Sequence, residues 1–114
     1  MDDEDTFEYY RRPSYVKLPV EEIRYFVSEA RRTHIISEEG IDTFYKKLDE
    51  VEKMMKNKRC QFLRIHKSYL VNANYIAGFD RRYVKLTNGE RLKISNYDYY
   101  KNLIAHLRSA SIHS

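Results

Sequence analysis

Four histidines, at positions 34, 66, 106 and 113, and a single cysteine, Cys60, are the side chains in this 114-residue sequence best suited to acid–base, nucleophilic or metal chemistry. Their spacing argues against such chemistry. No histidine stands at HExxH, HxH or Cys/His spacing from another ligand candidate, so no metal site is expected. Cys60 cannot form an internal disulfide and is expected to pack as a small apolar residue. The glycines, Gly40, Gly78 and Gly89, are isolated, which excludes a phosphate-cradling loop and places each in a turn or at a strand end. There is no GxSxG elbow, and a Ser/His/Asp set could be assembled only by free choice among common residues. Neither catalysis nor a cofactor is expected.

A different chemistry is suggested by Phe62-Leu63-Arg64-Ile65-His66-Lys67-Ser68-Tyr69-Leu70-Val71-Asn72. Its apolar residues do not keep one period. A short strand carrying Leu63 and Ile65 meets a polar corner at His66-Lys67-Ser68, after which Tyr69, Leu70 and Val71 re-enter the core as a tight or helical turn. A corner held from both sides can present donors to the edges of nucleic-acid bases, because Lys donates to guanine acceptors and His or Ser to several bases or a phosphate. Ser68 and Asn72 could instead serve as turn caps, with His66 packing locally.

The surrounding elements must hold that corner. Residues 1 to 14 show no apolar period and read as a leader or linker with little order. Short β-favouring runs follow at 15–18, 23–27, 33–36 and 41–45, close enough to be joined as antiparallel hairpins. Residues 46 to 56 change period: Leu48, Val51 and Met55 share one stripe of an amphipathic helix, with its methionines as core filler. Strands return at 75–79, 82–86 and 91–94. A three-residue loop, Thr87-Asn88-Gly89, keeps Val84, Leu86, Leu92 and Ile94 on one face, whereas a two-residue loop would mix in charge; Gly89 then takes the left-handed position. Ser95-Asn96-Tyr97-Asp98 matches a capping box for a final helix at about 96–108, buried along Tyr100, Leu103, Ile104 and Leu107. Residues 109 to 114 read as a tail.

Composition fits one such domain. The sequence is 42% hydrophobic and 33% charged, and no apolar run approaches the roughly 20 residues needed to span a bilayer. A soluble chain in a reducing cytoplasm, without a membrane partner, is expected. The net charge of +4 is lopsided: residues 58 to 114 hold 11 Lys/Arg against Asp80, Glu90 and Asp98, a local net of +8. Such a field attracts polyanions. Arg59, Arg64, Arg81, Arg82 and Lys85 are candidate phosphate contacts.

The pattern Phe62-x-Arg64-x-His66-x-Ser68-Tyr69-Leu70-Val71-Asn72-x-x-x-Ile76, then Val84-x-Leu86-x-Asn88-Gly89-x-x-Leu92-x-Ile94-Ser95 and a final helix, resembles the LytTR DNA-binding family, the output module of bacterial response regulators. Leu18 to Phe26 adds to the likeness, which covers residues 15 to 108. The resemblance implies a mainly β fold of elongated antiparallel sheets with two short amphipathic helices. It further implies sequence-specific binding of double-stranded promoter DNA for transcription regulation, with loops entering successive major grooves. The matching loops are Arg31-Arg32-Thr33-His34, then His66-Lys67-Ser68 with Arg64 beside it, then Ser95-Asn96-Tyr97. Where this family commonly has Arg after the third-loop serine, Asn96 stands here; Asn pairs well with adenine and Arg with guanine, which leaves the preferred base at that contact open. A receiver domain, the usual controller of homodimerisation on DNA, is absent from this stretch. The alternative is a basic adaptor for proteins, RNA or single strands, whose 11 tyrosines stack unpaired bases.

Overall fold

Alternation of apolar and polar side chains organises ten short strands into three antiparallel sheets in the computed structural model, which describes residues 5–112. β1 (Thr6–Arg11) and β2 (Ser14–Pro19) form a hairpin. β3 (Ile23–Glu29), β4 (Arg32–Ser37), β5 (Gly40–Phe44), β6 (Phe62–His66) and β7 (Tyr69–Asn72) form the central sheet, in the order β5-β4-β3-β7-β6. β8 (Ile76–Phe79), β9 (Tyr83–Leu86) and β10 (Arg91–Lys93) make the third sheet. Helix α1 (Leu48–Met55) connects β5 to β6, and α2 (Tyr97–Ile112) follows β10.

The central sheet is buried on both faces. Phe26, Ile35 and Leu70 pack with Phe7 of β1 and with Val51 and Met55 of α1. On the opposite face, Tyr25, Ile65 and Val71 pack with Val84 and Leu86 of β9 and Leu103 of α2. Tyr25 to Val27 therefore reads as a continuous apolar run, each side chain having a covering layer on its own side. Full burial of a side chain such as Phe26 or Ile35 contributes about 1.5–3 kcal/mol. Tyr25 also ties two sheets together: its hydroxyl donates to the Glu90 carboxylate at 2.6 Å, and burial and that carboxylate both push its pKa up.

Several expectations from the sequence are corrected. Residues 6 to 14 are not a loose leader, because Phe7 and Tyr9 of β1 are buried against Phe44. The period-2 pattern that buries them is only two apolar residues long, too short to be noticed. Tyr69 to Val71 is not a turn but the start of β7, paired with both β3 and β6. Burial on both faces removes the alternation that marks a strand. Met54 is exposed while its neighbour Met55 is buried, and Leu107 is 53% exposed. Helix α2 continues through residues 109–112, part of the expected tail; residues 1–4 and 113–114, including His113, lie outside the described residues. The α2 cap is Asn96, whose side-chain oxygen accepts from the Tyr99 N–H at 3.2 Å, so the Ser95–Asp98 capping box does not form.

The third sheet follows the expected register. Leu92 faces Val84, the Leu86 N–H donates to Glu90 O at 2.8 Å, and Gly89 sits at φ +93°.

Candidate nucleic-acid interface

Sheet order decides which turns become neighbours. β3 and β7 are adjacent and antiparallel, so the β3–β4 turn and the β6–β7 turn emerge from the same end of the central sheet. The Ser28 N–H donates to the Ser68 carbonyl at 2.9 Å, joining the bases of the two turns. Two strand spacings separate the hairpin centres, about 10 Å. On the far side of β6, the Ser95 N–H donates to Ile65 O at 3.1 Å, which brings the start of α2 alongside the second turn. All three loops expected from the sequence thus open at one end.

The first turn is a two-residue loop, Ala30-Arg31, closed by the Glu29–Arg32 pair, with Ala30 at φ +57°. Arg31 and Arg32 are exposed, and Arg32 lies 3.9 Å from Glu29. Thr33 and His34 are placed differently from the expected contact set. Thr33 is fully buried and its hydroxyl donates to the Lys46 carbonyl at 2.6 Å. The His34 ring bridges Thr43 Oγ1 at 2.7 Å and Glu29 Oε1 at 2.8 Å. Alternation along β4 sends Thr33 inward, a consequence of starting that strand at Arg32.

The second turn has the most organised interior. Arg64 projects along it with its side chain only 12% exposed. Nε donates to His66 O at 2.9 Å and Nη2 to Lys67 O at 2.6 Å, while Nη1 reaches Asp49 at 2.9 Å and Glu52 at 2.7 Å on α1. Arg64 therefore positions the turn instead of extending towards solvent. His66 Nδ1 accepts the Ser68 N–H at 3.0 Å, and the ring packs on Tyr69. That bond requires a bare Nδ1, so the neutral ring carries its proton on Nε2 as a donor. Burial, followed by the charges of Lys67, Lys93 and Arg64, lowers the His66 pKa and favours this neutral form. Lys67 is exposed at the apex. Asn72 is buried and structural: its amide donates to Ile23 O and its oxygen accepts from Asn74 N, as a turn cap would.

At the third loop, Asn96 and Tyr97 are exposed. The Tyr97 ring has the Arg81 guanidinium 5.5 Å and the Lys101 ammonium 5.3 Å from its centroid. Ile94 N–H donates to Arg82 O at 2.8 Å, which holds the β8–β9 turn beside this loop. A shallow basin of about 350 Å³ is lined by Arg81, Arg82, Lys93, Ser95, Asn96 and Tyr97.

Lys93 was missed by sequence reasoning, although the inward alternation of Leu92 and Ile94 could have marked it as outward-facing. Arg59 is distant from this end of the sheet: it precedes the opposite end of β6, where its N–H binds Asp5. Lys85 projects outward from the middle of β9.

Over residues 14–108 the chain matches the family LytTr DNA-binding domain. Its fold is similar to that of a LytTr DNA-binding domain from Bacillus cereus, described as part of a response regulator, with a TM-score of 0.70 at 22% identity over 89% of this chain and 97% of that one. No curated protein matches the chain.

Proposed function

Because the chain belongs to the LytTr DNA-binding domain family, we propose that it regulates transcription by reading duplex promoter DNA sequence-specifically through the three turns at one end of its central sheet. The observation that carries this reading is their convergence: Arg31 and Arg32, Lys67 with His66, and Asn96 with Tyr97 share one surface. Residues 15 to 108 form the binding domain, and the β1–β2 hairpin completes its core.

In this reading Lys67 and the Nε2–H of His66 donate to base edges in a major groove, where guanine N7 and O6 accept. Arg31, Arg32, Arg81, Arg82 and Lys93 neutralise phosphates on either side. In this reading the loops enter successive major grooves of the duplex. Asn96, its oxygen engaged as a helix cap, offers its amide NH₂ as a donor. A second copy on a repeated half-site, under the control of a receiver domain, completes the assembly.

Selection of bound duplexes from a random pool at about physiological salt tests the proposal. Enrichment of a defined motif is the expected result. Equal retention of all duplexes, or stronger binding to single-stranded oligonucleotides, would overturn it.

A further inference from the structure

An aromatic and basic groove of about 740 Å³ lies on the first-turn side of the central sheet, between the β1–β2 hairpin tip and the exit of β5. Tyr10, Arg12 and Tyr15 line one wall, with Tyr45, Lys46 and Met54 on the other. Exposure of these side chains is unusually high for aromatics: Tyr15 is 82% and Tyr45 77% exposed. Tyr10 and Tyr15 face one another across the hairpin, their centroids 5.0 Å apart.

Two features connect this groove to the loop surface. Thr33 Oγ1 donates to Lys46 O, and Thr33 pairs with Phe44, so Tyr45 and Lys46 leave β5 beside the Arg31–Arg32 turn. The charge also has the right sign. Arg11 is held by Asp42 at 3.0 Å, whereas Arg12 and Lys46 line the groove with Tyr10, Tyr15 and Tyr45 against a single carboxylate, Glu8. Cations interleaved with phenol donors suit a sugar–phosphate backbone, which needs charge and hydrogen bonds without reading a base.

We infer that the hairpin tip and the β5 exit form a fourth DNA contact, in which Arg12 and Lys46 grip the phosphate backbone just beyond the first turn and lengthen the bound site on that side. The inference rests on the duplex-binding reading above. It assigns the groove to a flank of the same duplex; the neutral aromatic surface then shields the two phosphate contacts from solvent.

The test measures anisotropy of labelled duplexes carrying the selected motif, either trimmed to its ends or extended by half a helical turn, about 5 bp, on one side or the other. Wild-type protein should bind one extended duplex more tightly, with a salt slope steeper by about 2 than on the trimmed duplex, one unit for each of two phosphates. Arg12→Ala/Lys46→Ala should bind the trimmed duplex like wild type and gain nothing from either extension. Wild-type binding that ignores both flanks overturns the fourth contact while leaving the three-loop reading intact, as does a double variant that keeps the full flank effect. Failure to prefer the motif on the trimmed duplex defeats the parent reading instead. A free-protein dimer that Tyr15→Ala dissolves would assign the groove to a second copy and overturn the inference.

Discussion

Arg64 Nη2 donates to the Lys67 carbonyl across 2.6 Å, so the residue that shapes the second turn lies beneath the residue that crowns it. The same guanidinium holds His66 O and two carboxylates of α1, coupling the turn to the helix. Arg64→Ala leaves these acceptors without their donor and should destabilise the fold by about 1–3 kcal/mol. It should also weaken binding to the preferred duplex with the salt slope unchanged, because no phosphate contact is lost. A slope reduced by about 1 would show that Arg64 touches the backbone after all.

Lys67→Ala should behave in the opposite way for stability. Lys67 is exposed, so the melting temperature should stay near wild type. Affinity for the preferred duplex should fall by about 1–3 kcal/mol, with a smaller loss on random duplex. Titrations on both duplexes check this, and equal losses on the two would demote Lys67 to a phosphate contact.

Thr33→Val removes the hydroxyl bonded to Lys46 O inside a fully buried site while nearly preserving volume. The unpartnered carbonyl should cost about 1–3 kcal/mol, read as a lower urea midpoint. The base preference recovered in a duplex selection should not change, since the side chain does not reach the surface.

Ala30 occupies the left-handed region at φ +57°, where a Cβ costs about 1–2 kcal/mol. Ala30→Gly relieves that cost against a greater loss of backbone entropy and should stabilise the domain by up to about 1 kcal/mol. Equilibrium unfolding with an unchanged m-value is the measurement; a destabilised variant would refute the strain argument.

His66 supplies a pH dependence. Its folded pKa lies below the ordinary histidine value, so between the two the unfolded chain binds more protons than the folded one. The stabilising contribution is fully present above the unfolded pKa of about 6.5 and is lost as pH falls through the lower folded value. Urea midpoints should drop more between pH 7.5 and pH 5.5 in wild type than in His66→Gln. ¹⁵N spectra at pH 7.5 should show a protonated Nε2, and a protonated Nδ1 would contradict the Ser68 hydrogen bond.

Local patterns already determined much of this architecture. The Thr87-Asn88-Gly89 turn followed because a single register kept Val84, Leu86, Leu92 and Ile94 together, and the α1 stripe followed from helical spacing. By contrast, Tyr69 to Val71 was illegible as a strand, because its side chains are covered by layers distant in sequence. For β1, the rings that bury Phe7 and Tyr9 belong to strands distant in sequence, Phe26 on β3 and Phe44 on β5.

At the candidate interface, the sequence by itself determined which chemistry was available: basic and hydrogen-bonding side chains at three turns. Only the tertiary structure decided how each was used. Strand alternation turned Thr33 inward, the carboxylates of α1 drew Arg64 down onto the turn, and Asn96 became the helix cap. Residue type sets what a side chain can donate or accept, whereas the neighbours supplied by the fold set whether that capacity is satisfied internally or presented outward.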